Sequence, residues 1–97
     1  MSMQGTKHDE GKDRWELLPT ASVREVVRVL GFGAKKYGDE NWRSVEDARR
    51  RYYAAAMRHL TTWYYDQEKN DPESGLHHLA HCICCLLFLE ELEEVEK

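Results

Sequence analysis

PESGLHHLAHCICCLLFLEELEE, residues 72–94, is the longest helical signal in the chain. Asp71-Pro72 before it has the form of a helix start, an Asp cap with Pro at the first helical position. Glu73 then complements the positive end of the helix dipole. Wound at 100° per residue from Glu73, the stretch sets His81 at about 80° and His78 at about 140°, with Ser74 and Cys85 between them. Leu76, Leu79, Ile83, Leu86 and Leu87 fall on the opposite side. The predicted helix therefore has an aliphatic stripe and an imidazole stripe. Four of the five histidines lie between residues 58 and 88, next to an acidic turn holding Glu68, Asp71 and Glu73. That pattern marks a site as well as a helix.

Outward from this stretch, the remainder of the chain reads as helical too, and the fold class is all-α: a small bundle of three to four helices in a single domain over residues 1–97. Ser22 with Glu25 has capping-box spacing for a first helix from about Ala21 to Lys36. Val23, Val26, Val27, Leu30 and Ala34 form its apolar face, and Arg24, Arg28 and Lys35 its basic one. Gly38 after Tyr37 stops it. Ser44, with Asp47 three residues on, is placed to cap a second helix reaching about Tyr65. Its wheel groups Tyr52, Ala56, His59 and Trp63 on an inward face and sends Arg51 and Arg58 outward. Residues 1–15 make a polar arm, which Trp15, Leu17 and Leu18 are expected to anchor to the core before Pro19 closes it.

Composition narrows the function. The net charge of −4 disfavours a general nucleic-acid surface. No apolar run is long enough for a membrane span, and no signal peptide precedes the domain. Cys82, Cys84 and Cys85 are too close on one helix to pair with each other and read as buried thiols of a reducing compartment. The expectation is a soluble protein of the cytoplasm.

The chemistry follows from residue types. Carboxylates with histidines at one helix junction suit a divalent cation. Oxygen donors favour Mg²⁺ or Mn²⁺, and added imidazoles shift preference towards Mn²⁺, Co²⁺ or Zn²⁺. Glu68, Asp71, Glu73 and His78 are the candidate ligands, and Glu73, His59, His78 and His81 the candidate catalytic groups. Lys12, Arg14, Lys35, Lys36 and Arg58 are cations suited to phosphates, while Tyr37, Asn41 and Trp42 offer an amide and aromatic surfaces for a base. These parts describe metal-assisted hydrolysis of a nucleotide phosphate. No P-loop and no zinc-finger cysteine spacing is present.

Five ordered motifs span residues 7–92: Asp9-Glu10-Gly11-Lys12-Asp13-Arg14 with Leu17-Leu18-Pro19; Gly33-Ala34-Lys35-Lys36-Tyr37-Gly38 with Asn41-Trp42; Arg58-His59-Leu60; Asp71-Pro72-Glu73-Ser74-Gly75-Leu76; and His78-Leu79-Ala80-His81. In these the chain resembles the phage dATP/dGTP diphosphohydrolase N-terminal family, in the style of the MazG-like all-α pyrophosphohydrolases. The resemblance implies hydrolysis of purine deoxynucleoside triphosphates to monophosphate and pyrophosphate with Mg²⁺ or Mn²⁺. It also implies a role in the dNTP pool of an infected host cell. The first helix holds only Glu25, so a four-carboxylate cage of the MazG kind is not evident: either the histidines stand in for the missing carboxylates or the metal sits elsewhere. Two other classes stand beside this one. An HD-type phosphohydrolase is disfavoured because His-Asp adjacency occurs only at His8-Asp9, and a non-enzymatic phage interaction module would use the histidines structurally.

Three short helices cannot cover both sides of each other. The imidazole side of the third helix and the aromatic arc of the second are expected to be completed by a homo-oligomer, a dimer or tetramer. The active site would then lie near a subunit junction, with the N-terminal arm within reach of it.

Overall fold

A computed structural model describes residues 4–95. A 3-10 turn at Trp15–Leu17 leads into α1, Thr20–Tyr37. A second 3-10 turn, Asn41–Ser44, precedes α2, Ala48–Tyr65, and α3 covers His78–Val95. Among the described residues there is no strand, only one isolated antiparallel bridge between Asn70 and His77. The all-α expectation holds.

α3 is the central element. α1 and α2 each pack on it rather than on one another. Ala80 and Cys84 of α3 meet Val26 and Val29 of α1, with Leu30 and Leu76 closing the edges. Cys82 and Cys85 meet Ala56 of α2, flanked by Tyr52 and Ala55. Small side chains fill both seams, and small residues let helix axes approach closely. His59 with His81, Ala56 with Cys82 and Tyr52 with Phe88 pair in falling register, so α2 and α3 run antiparallel.

The start of α3 differs from the expectation. Asp71-Pro72 opens a single turn, not the helix. Asp71 Oδ2 accepts the Ser74 N–H at 3.0 Å, and Asp71 O accepts the Gly75 N–H at 2.7 Å. Gly75 then takes φ 74°, a left-handed value that ends a right-handed turn and suits a residue without Cβ. α3 begins three residues later. His77 acts as its cap, since Nδ1 accepts the Leu79 N–H at 3.0 Å.

The two seams bury Cys82, Cys84 and Cys85 as expected, but they cover the imidazole side of α3 within the chain, where an oligomer was expected to cover it. The imidazole and cysteine side is the covered one, while Ile83, Leu86 and Leu87 stay exposed. Cysteines and alanines are small enough for tight helix contact, and the larger aliphatics are left outside.

Other local expectations change as well. α1 starts after Pro19 without a side-chain cap, and Glu25 bonds to the backbone of His77 instead of forming a capping box. Val29 is buried where Val27 was expected. Ser44 ends a 3-10 turn, and Asp47, at φ 56°, precedes α2 without capping it. Gly38 does close α1, at φ 102° and ψ 152°, outside the αL region and open mainly to glycine. Trp15, Leu17 and Leu18 are exposed rather than anchored.

Candidate functional site

The antiparallel α2–α3 pair brings three imidazoles together beside the 66–77 connection. His59 Nδ1 and His78 Nδ1 are 2.8 Å apart. One nitrogen of that contact donates and the other accepts, which fixes complementary tautomers. The His59 and His81 rings stack, with centroids 4.5 Å apart and planes 9° from parallel. The edge of His81 meets Phe32 of α1 at 6.3 Å.

The single turn at residues 71–75 supplies the polar partners. His81 Nε2 lies 2.7 Å from Ser74 Oγ and 4.0 Å from Asp71 Oδ2. Ser74 Oγ also accepts the Leu76 N–H at 3.1 Å. One serine therefore ties the turn, its aspartate and the helix histidine into a network. From α1, Glu25 Oε1 accepts the His77 N–H at 2.8 Å, 52 positions away in sequence. This bond anchors the start of α3 and with it the two ring residues that follow.

His78 is 4% exposed, and its Nε2 has no hydrogen-bond partner. Glu68 Oε1 is 3.4 Å away, within ion-pair distance but outside hydrogen-bond geometry. A buried polar nitrogen left unsatisfied is costly and calls for an explanation. A metal ion is one. Donor atoms of His59, Asp71 and His78, one from each, all lie within 4.8 Å of one another. Two imidazoles and a carboxylate are borderline donors that suit first-row ions such as Mn²⁺ or Zn²⁺ better than Mg²⁺, which prefers oxygen.

Protonation agrees with a ligand role. Burial, with the neighbouring His81 and His78, lowers His59 to about 4. Burial also lowers His81, against the opposing pull of Asp71. Both rings are thus neutral near pH 7 and keep a lone pair. Burial pushes the Asp71 carboxyl up, but the Ser74 hydrogen bonds and the nearby His81 outweigh it and hold the pKa below the usual value. Asp71 stays ionised.

A cavity of about 690 Å³ opens onto this cluster. His59, Asp71 and His81 reach it from one end. Lys36 and Glu73 face it from α1 and the turn, joined by an ion pair of 2.8 Å. Lys36 Nζ also sits 5.1 Å from the Tyr37 ring centroid. The hydrogen bond that Lys36 donates to Glu73 raises the Lys36 pKa, and Tyr37 adds to it. Trp42, Tyr52 and Phe88 line the other end, two turns along α2 from His59, or about 10 Å. The Trp42 indole stacks on Phe88 at 4.6 Å and 11°, and the Arg43 guanidinium sits 4.2 Å from its centroid. The indole is therefore packed against the protein's own groups.

Of the residues singled out in the sequence, Lys36, Tyr37, Asn41, Trp42, His59, Asp71, Glu73 and His81 line this cavity. His78 sits behind His59, and Glu68 stands beside it. Arg58 lines a neighbouring cavity of about 500 Å³, together with Tyr37, Asn41, Arg50 and Arg51. Lys35 is exposed outside both cavities. Lys12 and Arg14 lie on the exposed arm, where Arg14 pairs with Glu16 at 2.8 Å. Sequence reasoning gave no site role to Ser74, Glu25, Tyr52 or Phe88. Ser74 carried a readable signal, a hydroxyl between two candidate ligands and a glycine. Glu25 carried none, because its partner is a backbone N–H brought near by tertiary packing.

Comparison with known proteins adds a second line. The family described as dATP/dGTP diphosphohydrolase, N-terminal, matches residues 2–97. A relative named dATP/dGTP diphosphohydrolase, from Salmonella phage PMBT28, is 37% identical over 87 residues. Those residues make up 90% of this chain and 29% of the relative, so the chain spans less than a third of that protein's length. No solved structure matches the chain significantly.

Proposed function

The chain belongs to the dATP/dGTP diphosphohydrolase N-terminal family, and on that premise we propose that its cavity hydrolyses purine deoxynucleoside triphosphates to the monophosphate and pyrophosphate. The work would fall in the dNTP pool of an infected cell. The observation that carries this reading is the orphaned Nε2 of buried His78 beside His59 and Asp71, at one end of a nucleotide-sized cavity.

A divalent ion held by His59, Asp71 and His78 would supply Lewis-acid stabilisation of charge on a phosphoryl group. The donor set fits Mn²⁺ more closely than Mg²⁺. The chain's own residues do the remainder. Lys36 leaves Glu73 to meet a phosphate, and Glu73 is freed towards the reacting end of the cavity. His81, neutral and held by Ser74, is placed to accept a proton from water. Its stacked partner His59 fixes the ring plane. Trp42, Tyr52 and the Asn41 amide bound the space left for the base.

The test is turnover of dATP and dGTP with Mn²⁺ or Mg²⁺, products separated by ion exchange. Monophosphate with pyrophosphate is expected. Release of intact triphosphate would instead indicate HD-type chemistry, and no turnover across a dNTP and metal panel would overturn the reading. Mn²⁺ binding followed by electron paramagnetic resonance gives a readout apart from activity, and His78→Ala should abolish it.

A further inference from the structure

The neighbouring cavity of about 500 Å³ runs beside the first along α2. Helix register separates the two. Tyr52, Ala55 and His59 border the first cavity. Arg51, Ala54 and Arg58, each one position earlier and so turned by about 100°, border only the second, with Arg50 beside them. Tyr37, Asn41 and Tyr52 border both. Three guanidiniums therefore meet in one hollow. Among the described residues no carboxylate lines it, although the chain carries 18 acidic residues against 14 basic ones. Elsewhere exposed cations find acidic partners, Arg14 with Glu16, Lys36 with Glu73 and Arg43 with Glu40. The Arg58 side chain has no ion pair or hydrogen bond among the described residues. Arg51 reaches only the Glu46 carbonyl, at 3.3 Å. Arg50 bonds Asp47 through Nε and keeps its other N–H groups.

We infer that this second cavity binds a polyphosphate anion, inorganic or carried by a nucleotide, at a place separate from the His59–Asp71–His78 cluster. Charge is the first argument. Guanidiniums gathered without a carboxylate repel one another, and an anion between them relieves that repulsion. The guanidinium fork also matches phosphate oxygens with paired N–H bonds. Spacing is the second. Arg51 and Arg58 stand seven residues apart, or about 10 Å along α2. Ala54 and Ala55 lie between them, and their short side chains leave the hollow open. Linked phosphoryl groups bridge such a span better than a single phosphate does. The walls are the third. Tyr37 and Asn41 add hydroxyl and amide donors, and the volume falls within the range of small-molecule sites. A long nucleic-acid strand fits less well, because the chain as a whole carries a net charge of −4 and repels it. Two sources supply this chemistry, free pyrophosphate or tripolyphosphate, and the triphosphate of a nucleotide. The inference does not depend on the proposed reaction.

Calorimetric titration of the full chain tests this, at low ionic strength and with EDTA present so that no divalent ion contributes. The probes are inorganic phosphate, pyrophosphate, tripolyphosphate and dGTP. Saturable binding of pyrophosphate and tripolyphosphate, tighter than that of phosphate, is expected. Arg51→Gln and Arg58→Gln should each weaken it about tenfold or more, the scale of a lost charge-assisted hydrogen bond. Tighter binding of dGTP than of tripolyphosphate identifies a nucleotide as the occupant, and equal affinity identifies the inorganic anion; either result supports the site. Should a variant unfold, the arginine Nε–H resonances of the unaltered chain keep the test open, since those of Arg51 and Arg58 should shift during the titration. No saturable binding of either polyphosphate would overturn the inference. So would binding that survives both arginine variants but is lost in Lys36→Gln, because the anion would then sit in the first cavity. Tighter binding of single-stranded DNA than of tripolyphosphate would overturn the choice of a small anion. Turnover is not read, so failure here leaves the proposed reaction standing, and absence of turnover leaves the anion site standing.

Discussion

Gly75→Ala, set against Gly31→Ala, tests the turn that holds Asp71 and Ser74 in place. A Cβ built on either glycine meets nothing within 4 Å, so sterics with neighbours cancel and backbone conformation decides. Gly75 sits at φ 74°, where an alanine costs about 1–2 kcal/mol. Restriction of the unfolded chain returns about 0.4–1 kcal/mol, which leaves a net loss near 1 kcal/mol. Gly31 lies within α1 on an exposed turn of helix, where alanine is better than glycine by about 0.8–1 kcal/mol. The two variants should differ by roughly 2 kcal/mol with opposite signs, or about 8–16 °C in Tm for a domain of this size. Thermal unfolding by circular dichroism, at one fixed protein concentration because assembly shifts Tm, reads this directly. Equal or same-sign shifts would refute the argument that a left-handed glycine separates the site turn from α3. Gly75→Ala should also weaken Mn²⁺ binding, because the carboxylate of Asp71 is aimed by that turn.

Other expectations concern single groups. Asp71→Asn should lower kcat for dATP and dGTP about 10²-fold or more while circular dichroism is unchanged, the scale of a lost acid–base or positioning group; wild-type turnover would remove Asp71 from the site. Ser74→Ala leaves His81 Nε2 and the Leu76 N–H without their partner, so a stability loss of about 1–3 kcal/mol in urea denaturation is expected, and a neutral variant would contradict the network. Trp42→Ala should lower stability by about 1–2 kcal/mol through the lost Phe88 stack and Arg43 contact, and it should raise KM as well; a KM effect with unaltered stability would mean the indole is not held by those contacts. Burial raises the Cys84 and Cys85 thiols to about 12 and about 11 and also raises Cys82. At pH 8 all three should resist iodoacetamide in the native protein and react after denaturation, since the thiolate is the reactive form.

Residue spacing alone determined the helical class and rough extents and narrowed the helices to three or four, because 3.6-residue periodicity and glycine stops are local. α1 and α2 fall within a few residues of where their patterns place them. The grouping of Lys36, Tyr37, Asn41, Trp42, His59, Asp71, Glu73 and His81 was legible as well, since each lies in a short motif rich in chemistry. What sequence could not reveal is which side of α3 is covered. Hydrophobicity ranks Leu86 above Cys85, yet close helix approach selects the small residue, and only packing against α1 and α2 shows which criterion wins. The start of α3 was hidden for a similar reason. Asp-Pro is a sound local signal for a helix, but the tertiary bond from His77 N–H to Glu25 and the Asn70–His77 bridge hold the chain in a turn until residue 78. Tertiary structure also decided the chemistry of the histidines. Three rings separated by up to 22 positions in sequence touch only because α2 and α3 run antiparallel, and burial at that contact keeps His59 and His81 neutral with a lone pair to offer.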